Sequence, residues 1–116
     1  MKRYKQFFEF KKRRVPKVLY HSTPSRFLPE IMKHGLKRSW DGMVYLMEKP
    51  EAWGDVVIEV KIPNKNHLMD WREAWYDEND EEIDGDHSYD PSNPYWVYLY
   101  PIPTKYLRVL DKNETI

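Results

Sequence analysis

The chain has 116 residues, room for one domain and not for two. Hydrophobic residues make up 41% of it, aromatic residues 16% and charged residues 33%, a balance that argues against disorder and for a small core built largely from Trp and Tyr. Nineteen Lys and Arg offset 19 Asp and Glu, and Cys is absent, which excludes disulfides, thiolate metal sites and thiol nucleophiles.

Residues 1–16 read as a basic aromatic arm. Phe7, Phe8 and Phe10 precede the cluster Lys11, Lys12, Arg13 and Arg14, and the spacing of Phe7 and Phe10 suits one face of a short helix docked on the domain. The same residues suit nucleic acid, with Lys11, Lys12, Arg13 and Arg14 on phosphates and a Phe stacked on a base. The opening residues lack the apolar centre and cleavage site of a secretion signal, and no apolar run approaches a membrane span. A cytoplasmic protein without a membrane partner is expected.

The folded unit is expected over residues 17–110. KVLYHST reads as a buried strand ended by Pro24; a short helix follows, with Pro29 in its first turn, Phe27, Ile31 and Met32 on its apolar face and Gly35 closing it. MVYLM at 43–47 is a second strand, and Lys49 to Trp53 is expected to form one helical turn. DVVIEVKIP gives the clearest strand, with Val56, Ile58, Val60 and Ile62 on the buried face and Val57, Glu59 and Lys61 on the other. Asp70 and Glu73 resemble a capping box opening a helix, residues 77–90 form an acidic loop, and PYWVYLY and KYLRVL supply two more strands. Residues 111–116 are a polar tail. About five strands and two or three short helices make a compact α+β unit.

Charge is bipolar. Residues 1–38 hold 12 Lys or Arg against Glu9 and Glu30, and residues 70–90 hold 10 Asp or Glu against Arg72. Either the two segments face each other in the fold or the basic end meets a polyanion.

Taken in order, LYHST at 19–23, EIMKHGL at 30–36, MVYL at 43–46 and the terminal NPYWVYLYPIPTKYLRVL resemble the ADP-ribosyltransferase-like superfamily. The resemblance implies a split antiparallel β core holding NAD between its halves, and transfer of ADP-ribose to a protein or nucleic acid. His21 would hydrogen-bond a ribose hydroxyl, and Tyr45, the second signature residue, would stack on nicotinamide. Thr23 would add a hydroxyl, and the backbone at Ser22 would grip the carboxamide. An aromatic face suits a planar, partly cationic ring. Taken singly, a His after a strand is more often structural and a Tyr within MVYL more often core or rim; only their combination argues for a site.

The superfamily's third signature residue, a Glu, is missing: Asn93 or Pro94 stands in its place. A catalytic carboxylate would have to come from Asp90, four residues before Pro94, with Asp86 in reserve; the bland reading of both is a solubilising loop. Without that carboxylate the domain would be a nucleotide- or nucleic-acid-binding module that kept the fold. LYHST and PIPTKYL also resemble the RNA 2'-phosphotransferase branch, although Asp41 would repel its phosphate unless Arg38 compensates. Asp80, Glu82, Asp84 and Gly85 match the first half of an EF-hand-like loop, but Pro91 stands where its closing Glu belongs. His34, His67 and His87 lack zinc-like spacing, so no metal is expected.

Overall fold

In a computed structural model of the chain, the described residues are 15–75 and 92–116. They form a six-stranded sheet with two short α-helices, an α+β arrangement in which every strand pair is antiparallel. The strands are β1 (Val18–Thr23), β2 (Val44–Met47), β3 (Val56–Lys61), β4 (Leu68–Asp70), β5 (Tyr95–Tyr98) and β6 (Leu107–Val109), in the spatial order β4-β5-β2-β1-β3-β6. The helices are α1 (Leu28–His34) and α2 (Trp71–Trp75). None of the described helices is long and apolar enough to cross a membrane.

The pairing is uneven, and that positions the site. β1 pairs with β3 over six positions, from Val18↔Lys61 to Thr23↔Val56, and β2 pairs with β5 over four. β1 and β2 share only Tyr20↔Met47. The two three-stranded halves β4-β5-β2 and β1-β3-β6 therefore meet at a single registered pair.

Alternation along β2 and β5 divides their side chains between two clusters. Val44, Leu46, Trp96 and Tyr98 join Leu19, Leu36, Ile58, Val60 and Ile102 in the main core. Tyr45, Tyr95 and Val97 point to the opposite face, where Trp71 of α2 packs with Met43, Met69 and Leu99. The core is thus chiefly aliphatic, contrary to the expectation from composition. Trp40 and Trp53 are 90% and 59% exposed, and several other aromatics line a cleft on the second face.

Helix α1 begins at Leu28, and Leu28 and Ile31, three apart, pack on the core. This phase turns the expected contacts Phe27 and Met32 outward. Gly35 closes the helix at φ 85, where an added Cβ would stand 2.3 Å from the Ile102 carbonyl oxygen. The expected alternation of β3 holds for Ile58 and Val60, but Val57 is buried as well; the chain returns past β6 there, and Leu110 N–H donates to Val57 C=O at 2.9 Å.

Two further expectations fail. The helical turn at 49–53 is absent: Glu51 N–H reaches Lys49 C=O and Trp53 N–H reaches Glu51 C=O, each two residues back. Lys49 N–H is instead taken by the Asn93 side chain at 2.8 Å, and Pro50 C=O accepts from Ile116 N–H at 3.0 Å, so tertiary partners claim the groups a helix would use. The described residues also hold six strands where about five were expected, because Leu68–Asp70 pairs along β5. Asp70 does cap α2, accepting Arg72 N–H at 2.9 Å. Residues 111–116 carry a capped turn at Lys112–Glu114, with Arg108 bridging Glu59 and Glu114 at 3.0 and 2.9 Å. Arg108 holds the Glu114 carboxyl below its ordinary range, helped by Asp111 N–H.

Candidate functional site

Where β1 and β2 part, a cleft of about 380 Å³ opens, lined by Tyr20, His21 and Ser22 of β1, Tyr45, Leu46 and Met47 of β2, and Trp53, Trp71 and Tyr95. Two residues singled out in the sequence, His21 and Tyr45, meet here across the gap. The His21 Nδ1 lies 2.9 Å from the Tyr45 carbonyl oxygen. A carbonyl can only accept, so Nδ1 carries the hydrogen and donates. An imidazole thereby spans the gap beside the point where the strand ladder stops.

The consequence is chemical. With Nδ1 protonated, the neutral ring presents Nε2 as an acceptor, and Nε2 has no hydrogen-bond partner among the described residues. Burial lowers the His21 pKa from its ordinary value of 6.5, opposed in part by the bond to the Tyr45 backbone. The neutral, Nε2-accepting ring is therefore favoured near pH 7.

Tyr45 is held at both ends. Its backbone takes the His21 bond, and its hydroxyl donates to Asp41 Oδ2. Asp41 is fixed in turn by Met43 N–H, which reaches Oδ1 at 3.1 Å. The Asp41 carboxylate thus sets the Tyr45 ring at the cleft wall.

Trp53 closes another side. Its segment is tied to the end of β1 by Gly54 N–H donating to Ser22 Oγ at 2.8 Å and by Ser25 N–H donating to Asp55 Oδ1 at 2.5 Å. Position 54 leaves no room for a side chain, since a Cβ would stand 2.5 Å from the Thr23 carbonyl carbon. The indole meets the Tyr95 ring edge-on at 5.4 Å, and Tyr95 meets Trp71 at 5.9 Å, a row of T-shaped contacts across the cleft.

The remaining sequence candidates divide clearly. Ser22 lines the cleft with its hydroxyl committed to Gly54. Thr23 is buried at the end of β1 and is not among the lining residues. Asn93 is fully buried as a clamp on Lys49, and neither it nor Pro94 lines the cleft. Asp86, Asp90, the basic cluster Lys11, Lys12, Arg13 and Arg14, and the calcium-loop candidates from Asp80 to Pro91 all lie outside the described residues. His34 sits beside Glu30 on the surface and His67 packs on the Tyr98 and Tyr100 rings. No group of three metal-ligating side chains occurs among the described residues.

Tyr20, Met47, Trp53, Trp71 and Tyr95 were not singled out from the sequence. For Tyr95 the signal was present: Trp96 and Tyr98 alternate with it along β5, so burying them in the main core turns Tyr95 to the other face. For Trp53 and Trp71 no local pattern exists, because a loop tied to the end of β1 carries Trp53 and the pairing of β4 with β5 carries Trp71 to the cleft.

Comparison with protein-family models, with characterised proteins and with solved structures gave no match. The chemistry of the cleft therefore carries the functional reading.

Proposed function

We propose that the cleft is a nucleotide site of ADP-ribosyltransferase type, which takes NAD and supports transfer of ADP-ribose to a macromolecule. One observation carries the reading: His21 and Tyr45, drawn from separate pieces of the sequence, converge on one aromatic cleft at the break in an antiparallel sheet, 2.9 Å apart through the His21 Nδ1. The volume of about 380 Å³ is at the low end for small-ligand sites, roughly 300 to 1,000 Å³. It suits the nicotinamide and ribose part of the dinucleotide. NAD supplies a ribosyl carbon whose bond to nicotinamide breaks with its electron pair leaving on the ring.

The chain's own groups have simple roles in this reading. His21 Nε2 accepts a hydrogen bond from a ribose hydroxyl, so its role is that of acceptor. Tyr45, positioned by Asp41, offers its face to the nicotinamide, and Trp71 and Tyr95 exclude water around it. The Ser22 backbone has the role of gripping the carboxamide. The carboxylate that stabilises charge on the ribose would be Asp90, with Asp86 as the reserve candidate.

A second reading, a nucleotide-binding module without turnover, is favoured by a specific observation: among the described residues no Asp or Glu lines the cleft. The RNA 2'-phosphotransferase reading has less support, because among the described residues no Lys or Arg lines the cleft and Asp41 stands beside Tyr45.

The test is incubation of the purified chain with labelled NAD and cell lysate. Nicotinamide release with label entering protein or nucleic acid supports transfer. Saturable NAD binding without release supports the module, and neither binding nor release refutes both.

A further inference from the structure

Between α1 and β2 the chain makes an excursion whose base is fixed. Leu36, buried, exchanges two backbone hydrogen bonds of 2.9 Å with Ile102, and Val44, also buried, opens β2. From that base the segment turns back on itself. Ser39 N–H donates to Met43 C=O at 2.8 Å and Gly42 N–H to Ser39 C=O at 2.9 Å, with Gly42 at φ 83, a conformation that suits Gly. Asp41 locks the turn from within by taking Met43 N–H and the Tyr45 hydroxyl.

The turn thus carries Lys37, Arg38, Ser39 and Trp40, all exposed. Trp40 is 90% exposed, and neither Lys37 nor Arg38 forms an ion pair with a described residue. A Trp held out in water on a closed turn forgoes the burial its indole could make and leaves the ring's face open to a flat partner. The charge beside it selects the contact.

We infer that this tip docks single-stranded nucleic acid, with a base stacked on the Trp40 indole and Lys37 and Arg38 on neighbouring phosphates. Unpaired bases offer a flat π-face and a regular row of anions together, and that pairing matches one exposed indole on the same turn as two exposed cations. Duplex DNA hides its base faces. A membrane surface fits less well, because Trp40 is the tip's one large apolar side chain and its neighbours are Ser39, Asp41 and Gly42. Asp41, the next residue, holds Tyr45 at the cleft wall, so the turn that carries Trp40 is tied to the cleft through one hydrogen bond. The inference rests on residues 37–40 alone, and it stands whatever the cleft binds.

The experiment is fluorescence anisotropy of short labelled RNA and DNA strands, and of the matching duplexes, titrated with the full chain from about 50 to 200 mM salt. Trp40→Ala is expected to weaken single-strand binding about 5- to 150-fold, the worth of one base stack, while Trp40→Tyr retains most of the affinity. Changing both Lys37 and Arg38 to Gln is expected to flatten the slope of log affinity against log salt by about 1.4, two phosphates at about 0.7 each. All these side chains are exposed, so thermal melts should match the wild type. Unchanged binding by a folded Trp40→Ala variant overturns the inference. So does duplex binding as tight as single-strand binding, or binding to phosphatidylserine vesicles without binding to strands, or no strand binding by the wild type at the lowest salt.

Discussion

Asn93→Ala is the sharpest structural perturbation available near the cleft. Asn93 is fully buried just before β5, where its Oδ1 accepts Lys49 N–H at 2.8 Å and its Nδ2 faces Lys49 C=O at 3.3 Å and Met47 Sδ at 3.4 Å. It clamps the start of the segment that carries Trp53. Truncation removes two bonds to the Lys49 backbone, each worth about 0.5–1.5 kcal/mol net, and leaves a void, for a total of about 2–4 kcal/mol. Total stability for a domain of this kind is about 5–15 kcal/mol. At roughly 3–6 °C per kcal/mol for this size, the melting temperature should fall by about 6–24 °C. Asn93→Asp should do worse, since it loses the Nδ2 donor and buries a carboxylate against the Lys49 carbonyl. Circular dichroism melts with matching urea titrations read both. A melting temperature for Asn93→Ala within about 2 °C of wild type, or Asn93→Asp more stable than Asn93→Ala, would refute the clamp.

Two further outcomes follow from the fold. Ile58 is fully buried in β3, set between His21 of β1 and Val109 of β6; Ile58→Asp should abolish cooperative melting, and a melt near the wild-type temperature would remove β3 from the core. The pH dependence of stability should carry the mark of His21. Its pKa is lowered in the fold, so as pH falls below 6.5 the unfolded chain takes up a proton that the folded chain resists, and stability falls. The slope for one proton is at most about 1.4 kcal/mol per pH unit. His21→Gln should melt with a shallower loss between pH 7 and 5 than wild type, and equal slopes would contradict the burial of the ring.

How much of this was legible in the sequence depends on the range of the contacts involved. β3 announced itself because period-two alternation over Val56 to Ile62 is a local signal, and Gly35 marked the end of α1 because a left-handed residue is a local need. β4 was missed, since three residues at a sheet edge are too few to show a period and pair only because β5 lies beside them. The turn at 49–53 was misread as helical because nothing local tells that Asn93 and Ile116, far along the chain, take its backbone groups. Composition misled about the core. It counted aromatics without saying that Tyr20, Tyr45, Trp53, Trp71 and Tyr95 would line a cleft while aliphatics filled the sheet. His21 and Tyr45 were found as a pair only through the order of the motifs; their meeting depends on a strand pairing that stops at Tyr20↔Met47.

The central claim is that this aromatic cleft binds NAD through His21 and Tyr45. Isothermal titration calorimetry of the folded full chain with NAD tests it most directly, with Tyr45→Ala and His21→Ala alongside. The account predicts saturable one-to-one binding, weakened about 5- to 150-fold by either substitution through loss of about 1–3 kcal/mol. A folded wild type that takes up no NAD, or that binds it equally well without the Tyr45 ring and the His21 imidazole, would contradict it.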